Sequence, residues 1–220
     1  LATDEQLIDW AITNKEALCL SIKRYTFTEE LLPGFFDVGV KIELDGQVFA
    51  GRGTATSQVI ALSKAITEAI ERHVLASYDL ESSNGVACHL TPDQAIESAR
   101  LEALERDAFL CRFVADMPIP AITPEHLPAE INDSATLFAK RFGVKLKAGK
   151  ILSDYGVTCT VVTLMGEQAN RPFGLVLGLG CSDQSTKACR QALVEAVRKW
   201  AAFHADPSAS CLSLSEFLKI

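Results

Sequence analysis

The sequence lacks the short motifs that mark the common metal and nucleotide sites. Its 220 residues contain no HExxH, no GxSxG, no GxxxxGK[ST] and no EF-hand loop. The four histidines and seven cysteines are scattered, and no CxxC pair occurs. These absences argue against a zinc site and against a disulfide framework. We therefore interpret the cysteines as reduced thiols of a cytoplasmic protein.

Long hydrophobic runs and an excess of positive charge are also absent. Stretches such as 161–165 and 175–177 fall far short of the ~20 residues that a membrane span needs. No basic segment followed by an apolar one opens the chain, so we expect neither a membrane helix nor a signal peptide. With 21 basic and 28 acidic residues, the net charge is −7. This balance excludes a large nonspecific nucleic-acid surface but not a small basic pocket for phosphates.

What is present is the composition of an ordinary globular protein, 48% hydrophobic and 22% charged. Alternating apolar residues predict a strand over 38–44, joined by the turn Asp45-Gly46 to a strand over 47–50. We expect a helix and then an irregular or short strand segment over 5–32, and a long loop or partial linker over 117–133, which holds four prolines. The remaining predictions are helices over 58–76, 92–114 and 184–204, and strands over 146–152, 157–165 and 173–179. This mixture predicts an α+β fold with mixed α/β layers.

The three main helices share one pattern of alanine, glutamate and base. In each, alanine lies seven and three residues before a glutamate and directly after it, and a base follows four residues later. A glycine lies seventeen residues before each glutamate, and a small residue lies fifteen before it. The three glutamates are Glu68, Glu102 and Glu195, and the three glycines are Gly51, Gly85 and Gly178. The pattern indicates a repeated strand–turn–helix unit, although Ala, Glu and Arg are also simply good helix formers.

The repeated glutamate lies in a row of alanines along its helix. Removing a carboxylate from water in such an apolar row costs free energy, and either the base four residues later or a bound cation must offset this cost. The alanines leave room for a ligand or for a neighbouring backbone. Glu71 and Glu105 add a second carboxylate three residues after the first, and convergent carboxylates suit Mg²⁺ and its phosphate ligands. The alternative is that these are solvated surface pairs worth ~0.3–0.5 kcal/mol each.

Two Gly-x-Gly sequences precede the first and third of these helices. They are Gly51-Arg52-Gly53 and Gly178-Leu179-Gly180. Neither continues as a dinucleotide fingerprint, because position six is Thr56 in one and Asp183 in the other. We expect these glycines to form tight turns or to contact phosphate at a helix N-terminus.

Three sequence blocks together resemble the YcaO family of ATP-using peptide-modifying proteins. They are Gly51–Ala55 with Ala65–Arg72, Asn84–Ala87 with Ala95 and Leu101–Ala108, and Gly178–Ser182 with Ala188 and Ala192–Ala196. The likeness extends over roughly residues 38–203. It implies an N-terminal helical or irregular segment over 1–37 and a YcaO-like ATP-binding domain over 38–220, in which the repeated helices surround a nucleotide cavity.

The resemblance also implies the cofactors ATP and Mg²⁺ and the residues that hold them. Those expected to bind the metal are Glu68, Glu71, Glu102, Glu105 and Glu195. The same five residues, with Arg106 near the phosphates, are expected to form the cofactor site. Lys64 joins them as a departure from the family pattern, which has a small serine there in many members, and it would either meet phosphate or block the cavity. No catalytic residue is assigned.

By resemblance, the activity is ATP-dependent activation of a peptide-backbone amide. The reactions open to such a protein are cyclodehydration, thioamidation and an accessory role in ribosomal-protein methylthiolation. The expected partners are a ribosomally made peptide, as in the biosynthesis of modified ribosomal peptides, or a ribosomal protein, and a partner protein that presents the peptide. A homodimer is left open, because Trp200 and Phe203 would pack either in the core or at a subunit contact. We expect no membrane and no nucleic-acid partner.

The chain ends soon after its last predicted helix, where members of the family usually continue. This leaves two alternatives to a catalytic YcaO protein. One is a shortened, non-catalytic relative that binds a peptide or a partner protein. The other is a helix-rich domain whose glutamates form surface pairs, and the solvent exposure of Glu102 distinguishes this last alternative from the first two.

Overall fold

The computed structural model describes residues 3–78, 80, 82–153, 155–166 and 175–205. The chain forms two compact units, Leu1–Arg106 and Asp107–Ile220. Both combine helices with a small antiparallel sheet, which confirms the α+β class. The division at residues 37 and 38 stays a prediction. None of the helices in the described part of the chain combines the length and apolar character that a membrane crossing demands.

The first unit is a three-stranded sheet with helices before and after its central hairpin. Its elements are α1 (Asp4–Thr13), β1 (Ser21–Arg24), α2 (Thr26–Leu31), β2 (Phe36–Leu44), β3 (Gln47–Ala55), α3 (Gln58–Ser77) and the first part of α4 (Pro92–Val114). The strand order is β1-β2-β3, all antiparallel. Asp45 and Gly46 have φ of +51° and +73°, which is the backbone that a two-residue hairpin turn requires. The predicted hairpin is therefore confirmed.

Alternation along β2 and β3 gives this sheet one apolar face. Val40 and Ile42 lie on it and pack in a single core cluster with Ala65, Ile66 and Ala69 of α3. These α3 residues recur at helical spacing, so one face of the helix covers the sheet. The predicted helix over 58–76 is thus confirmed together with the surface that it buries.

The second unit repeats the three-stranded plan with different helices. It contains a short 3₁₀ turn (Pro124–His126), α5 (Ala129–Phe142), β4 (Val144–Leu152), β5 (Thr158–Gly166), β6 (Leu175–Ser182) and α6 (Ser185–Ala205). The order β4-β5-β6 is antiparallel throughout. The three strands and α6 confirm the sequence prediction within the described residues, since positions 173 and 174 lie outside them. The loop predicted over 117–133 is too long, because α5 begins at Ala129.

The core of the second unit lies between α6, its sheet and α5. Ala188, Ala192 and Ala196 of α6 are fully buried. Phe138 of α5 meets Trp200 edge to face, with ring centroids 5.1 Å apart. Trp200 is therefore a core residue of this unit.

The Gly-x-Gly sequences lie inside strands β3 and β6, and their role is close packing. A Cβ on Gly53 would lie 1.9 Å from the carbonyl oxygen of Ala61, and one on Gly180 would lie 2.2 Å from that of Ala188. The expectation of tight turns or phosphate contacts is wrong for these glycines. Glycine on the strand and alanine on the helix let the two backbones come into contact. The alanine row therefore makes room for a neighbouring backbone, which is one of the two uses that we expected for it.

Candidate functional site

Glu68 of α3 is held in place by the strand beneath it. One carboxylate oxygen accepts a hydrogen bond from the backbone N–H of Arg52, at 2.8 Å. The other accepts from the guanidinium of Arg72, one turn later, at 2.6 Å. Arg52 lies between the two glycines of β3, so the close packing of strand and helix brings its N–H to the carboxylate. We call this arrangement the strand clamp.

Glu195 of α6 has the same clamp in the second unit. One oxygen accepts from the backbone N–H of Leu179, again between two glycines, and the other pairs with Lys199 at 2.7 Å. Lys199 also donates to the carbonyl oxygen of Leu177, at 3.2 Å. The first and third copies of the sequence repeat are therefore structurally equivalent.

Glu102 of α4 belongs to the middle copy, which is built differently. The residue equivalent to Arg52 and Leu179 is Val86, whose N–H donates to the carbonyl oxygen of Ser83 at 3.0 Å. Gly85 has φ +75°, and a Cβ there would meet nothing closer than 3.8 Å. The middle copy thus replaces the strand with a loop, and the N–H at the position of Arg52 and Leu179 bonds within that loop.

Glu71 of α3 connects that loop to the first helix. Its carboxylate accepts a hydrogen bond from the backbone N–H of Cys88, at 3.1 Å. Burial raises the pKa of Glu71 most, and the negative charges of Glu102 and Glu68 raise it further, against the lowering effect of the Cys88 hydrogen bond and of Arg72. The carboxylates of α3 and α4 therefore lie close enough in the first unit for their charges to shift the pKa of Glu71.

Arg106 of α4 lies beside two of these carboxylates without a close pairing to either. Its guanidinium is 3.9 Å from Glu102 and 4.0 Å from Glu105. Its Nε is buried and has no hydrogen-bond partner among the described residues. A buried N–H without an acceptor is costly, so this atom calls for an acceptor beyond those that the described residues provide.

The exposure of the glutamates separates the alternatives left open above. The side chains of Glu68 and Glu102 are each 29% exposed, and that of Glu105 is 14% exposed. They are not solvated surface pairs, so the third alternative is not supported.

Lys64 is exposed, one turn before Glu68.

The first unit therefore holds six of the seven predicted site residues. Glu195 belongs to the second unit, and its role in the site stays a prediction.

Sequence reasoning missed a buried ion pair directly behind the first clamp. Asp37 of β2 is fully buried and pairs with the guanidinium of Arg52, whose Nε lies 3.0 Å from Oδ1. The hydroxyl of Thr54 donates to the same carboxylate at 2.9 Å. The ring of Tyr25 lies against the guanidinium, with the centroid 4.0 Å away. Strand alternation places Asp37 on the face opposite Val38 and Val40, which by itself predicts an exposed carboxylate, so no local pattern signals this pair.

The residues of the first unit fit Mg²⁺ and a phosphate. Among the described residues, no three carboxylate, imidazole or thiol groups are already assembled as metal ligands. Mg²⁺, however, commonly takes one or two protein carboxylates and completes its shell with phosphate oxygens and water. Glu71 and Glu102 would supply such carboxylates, and a phosphate oxygen would suit the Nε of Arg106, which has no acceptor among the described residues.

Comparison with known proteins gives matches of both sequence and fold. The sequence profile of the YcaO cyclodehydratases, described as ATP- and Mg²⁺-binding, matches residues 71–216. No curated protein sequence matches the chain.

Among solved structures, YcaO from Methanopyrus kandleri bound with AMPPCP and Mg²⁺ has a TM-score of 0.72 and 13% identity, over 99% of this chain and 73% of that one. A heterocyclase in complex with substrate and cofactor has a TM-score of 0.74 and 11% identity, over 99% of this chain and 42% of that one. The Escherichia coli microcin synthetase McbBCD complex with pro-MccB17 bound has a TM-score of 0.63 and 12% identity, over 84% of this chain and 64% of that one.

The three solved structures therefore share the α+β fold described above. The profile covers well over half of the chain and includes the carboxylates of α4 and the last one of α3. The chain is thus a member of the YcaO family, whose cofactors are ATP and Mg²⁺.

Proposed function

We propose that this protein uses Mg·ATP to activate a backbone amide of a peptide. The observation that carries the proposal is the group formed by Glu71, Glu102 and Arg106 in the first unit. It combines carboxylates that repel one another with a buried guanidinium N–H that has no acceptor among the described residues. A metal-bound phosphate would relieve both.

Each side chain of the group has a defined task in this proposal. Glu71 and Glu102 hold Mg²⁺, with Glu105 beside them. Arg106 donates its Nε–H to a phosphate oxygen. Glu68 is fixed by its clamp, and each of its hydrogen-bonded oxygens keeps a second lone pair that would be available to the metal. Bound ATP supplies a phosphoryl group that makes the poor leaving group of an amide, its oxygen, a good one.

The comparisons support a peptide as the substrate. One matched heterocyclase is described in complex with its substrate, and the microcin synthetase contains bound pro-MccB17. The acidic chain, with its net charge of −7, does not suit a nucleic-acid substrate. We infer a ribosomally made peptide or a ribosomal protein, which a partner protein would present.

Calorimetric titration with Mg·ATP tests the nucleotide site. We expect Glu102→Gln to weaken binding at least ~10-fold, because the variant loses one metal-ligand charge. Glu97→Gln on the same helix is the matched control, since Glu97 is 53% exposed in an i,i+3 pair with Arg100. Equal affinities of the two variants would contradict the proposed site.

Isotope transfer tests the amide activation. A peptide labelled with ¹⁸O at its backbone carbonyls, incubated with ATP, Mg²⁺ and the protein, should release ¹⁸O-labelled phosphate. A peptide library containing Cys, Ser and Thr is the probe. Tight Mg·ATP binding without peptide-dependent phosphate release across that library would favour the non-catalytic relative.

A further inference from the structure

Two buried cysteines face each other across the second sheet. The register of β5 and β6 places Cys159 directly opposite Cys181. Their sulfur atoms are 3.2 Å apart, and the two residues are 2% and 3% exposed. Neither sulfur is part of a disulfide.

The strand geometry suits a covalent link between them. Directly opposed residues of antiparallel strands have Cα atoms about 4.5–5.5 Å apart. That range lies within the ~4.4–6.8 Å that disulfides span. The sulfurs need only close from 3.2 Å to a bond of about 2.05 Å, which a small side-chain rotation supplies.

The first unit has a different device at the equivalent position. There the register places Asp37 opposite Thr54, and the threonine hydroxyl donates to the carboxylate at 2.9 Å. In each sheet the pair lies beside the second glycine of the Gly-x-Gly sequence: Thr54 follows Gly53, and Cys181 follows Gly180. At this position, side chains of two neighbouring strands contact each other in both units. The contact in the first unit is a hydrogen bond, whereas the contact in the second unit joins two thiols and can therefore respond to the redox state.

We propose that Cys159 and Cys181 form a disulfide when the protein meets an oxidising thiol–disulfide pool. With oxidised glutathione, the two thiols pass two electrons and two protons to the glutathione disulfide. The products are one intramolecular disulfide and two molecules of reduced glutathione. The link closes across β5 and β6, and β6 is also the strand whose Leu179 N–H clamps Glu195.

The strand registers of the described chain bring no other two cysteines opposite each other. Cys189 of α6 is buried, but it contacts the hydroxyl of Thr160 at 3.6 Å. Thr160 follows Cys159 in the strand, so its side chain points to the opposite face of the sheet. Cys19 and Cys111 are exposed and are expected to form mixed disulfides with glutathione.

The oxidised protein should be more stable than the reduced protein. The link would span 22 residues, and closing a loop of this size in the unfolded chain raises Tm by about 6–12 °C for a protein of this length. Because both thiols are buried, they should react more slowly than Cys19 and Cys111, through local opening of the strand pair.

The test incubates the full-length folded protein with oxidised glutathione until the reaction reaches its plateau. Free thiols are then blocked with N-ethylmaleimide, and the unfolded protein is cut with Glu-C and trypsin. Cleavage after Glu167 separates the two cysteines, and cleavage after Lys187 separates Cys181 from Cys189. We expect peptides 151–167 and 168–187 to be joined and to separate on reduction. The melting temperature of the oxidised sample should rise.

Two variants keep the test specific. Cys159→Ala should lose both the joined peptides and the rise in Tm on oxidation, whereas Cys189→Ala, which removes another buried thiol, should keep both. The proposal is overturned if the native protein yields no joined peptides at the plateau. It is equally overturned if Cys159 pairs with another cysteine, or if oxidation raises the Tm of Cys159→Ala as much as that of the native protein.

Discussion

The β3–α3 and β6–α6 pairs are two versions of one device. Both fix a helix glutamate with the N–H of a strand residue between two glycines, and both pair it with a base one turn later. They differ three residues after that glutamate, where α3 has Glu71 and α6 has Arg198. The strand clamp is therefore an element of the fold, present whether or not a second carboxylate follows.

The difference at that third residue separates architecture from chemistry. Glu71 faces the charges of Glu102 and Glu68 and accepts the Cys88 N–H. An arginine at the same place in α6 brings a positive charge instead. A carboxylate pair suited to Mg²⁺ thus arises in the first unit, whereas α6 follows Glu195 with a base at the equivalent position.

The largest expected effect comes from adding a methyl group where a strand glycine touches the helix backbone, a contact that both units share. Gly53→Ala and Gly180→Ala should each cost more than about 3 kcal/mol, because the new methyl group would lie within 1.9 or 2.2 Å of a helix carbonyl oxygen. Urea unfolding measures the loss. Gly34→Ala is the control, with φ +86° and open space around it, and should cost only about 1 kcal/mol. A mild effect at only one of the two strand glycines would show that the clamps are not equivalent.

The second test removes the buried Asp37–Arg52 ion pair of the first unit. Asp37→Ala should destabilise the protein by about 3–5 kcal/mol, since it leaves the guanidinium of Arg52 behind Tyr25 without its buried partner. The double variant Asp37→Leu with Arg52→Leu, which copies the apolar Leu179, should recover most of that loss. Urea unfolding of both variants measures the effect. If the double variant were as unstable as Asp37→Ala, the ion pair would have a further role in the fold.

The smallest expected effect is a pH dependence located at Glu71. Its raised pKa means that the folded protein holds this proton more tightly than the unfolded chain does. The resulting stability is complete below the usual value of 4.5 and is lost as the pH rises through the raised pKa.

Glu71→Gln keeps an acceptor for the Cys88 N–H, but its amide does not titrate, so the variant does not lose stability at this position as the pH rises. It should therefore gain stability relative to the native protein between pH 4.5 and 7.5. Unfolding in urea at both pH values measures the change, with Glu97→Gln as the control for a surface carboxylate. A relative loss of stability with rising pH would have the wrong sign.

Much of the fold could be read from the sequence because its strands and helices are strongly periodic. The hairpin around Asp45 and Gly46 and the three long helices were all predicted within a few residues. α5 was missed because prolines precede it, although Ile131, Ser134, Phe138 and Phe142 recur at helical spacing and are buried. Gly143, with φ +62°, closes that helix and was a further available signal.

The sequence repeat indicated the clamped glutamates but not the contacts around them. The alanine–glutamate repeat indicated Glu68, Glu102 and Glu195 as equivalent. No local pattern could show that the middle copy has a loop in place of its strand, or that this loop donates the Cys88 N–H to Glu71. The facing of Cys159 and Cys181 depends on the register of two strands separated along the chain, and their spacing alone does not fix it.

The central claim is that Glu71 binds Mg²⁺ together with ATP, and the Mg²⁺ dependence of ATP affinity tests it most directly. Calorimetry should show that the native protein binds ATP at least ~10-fold more tightly with Mg²⁺ than without it, and that Arg198→Gln preserves this ratio. In Glu71→Gln the ratio should fall close to one. A Glu71→Gln protein that retains the full effect of Mg²⁺ would contradict the account.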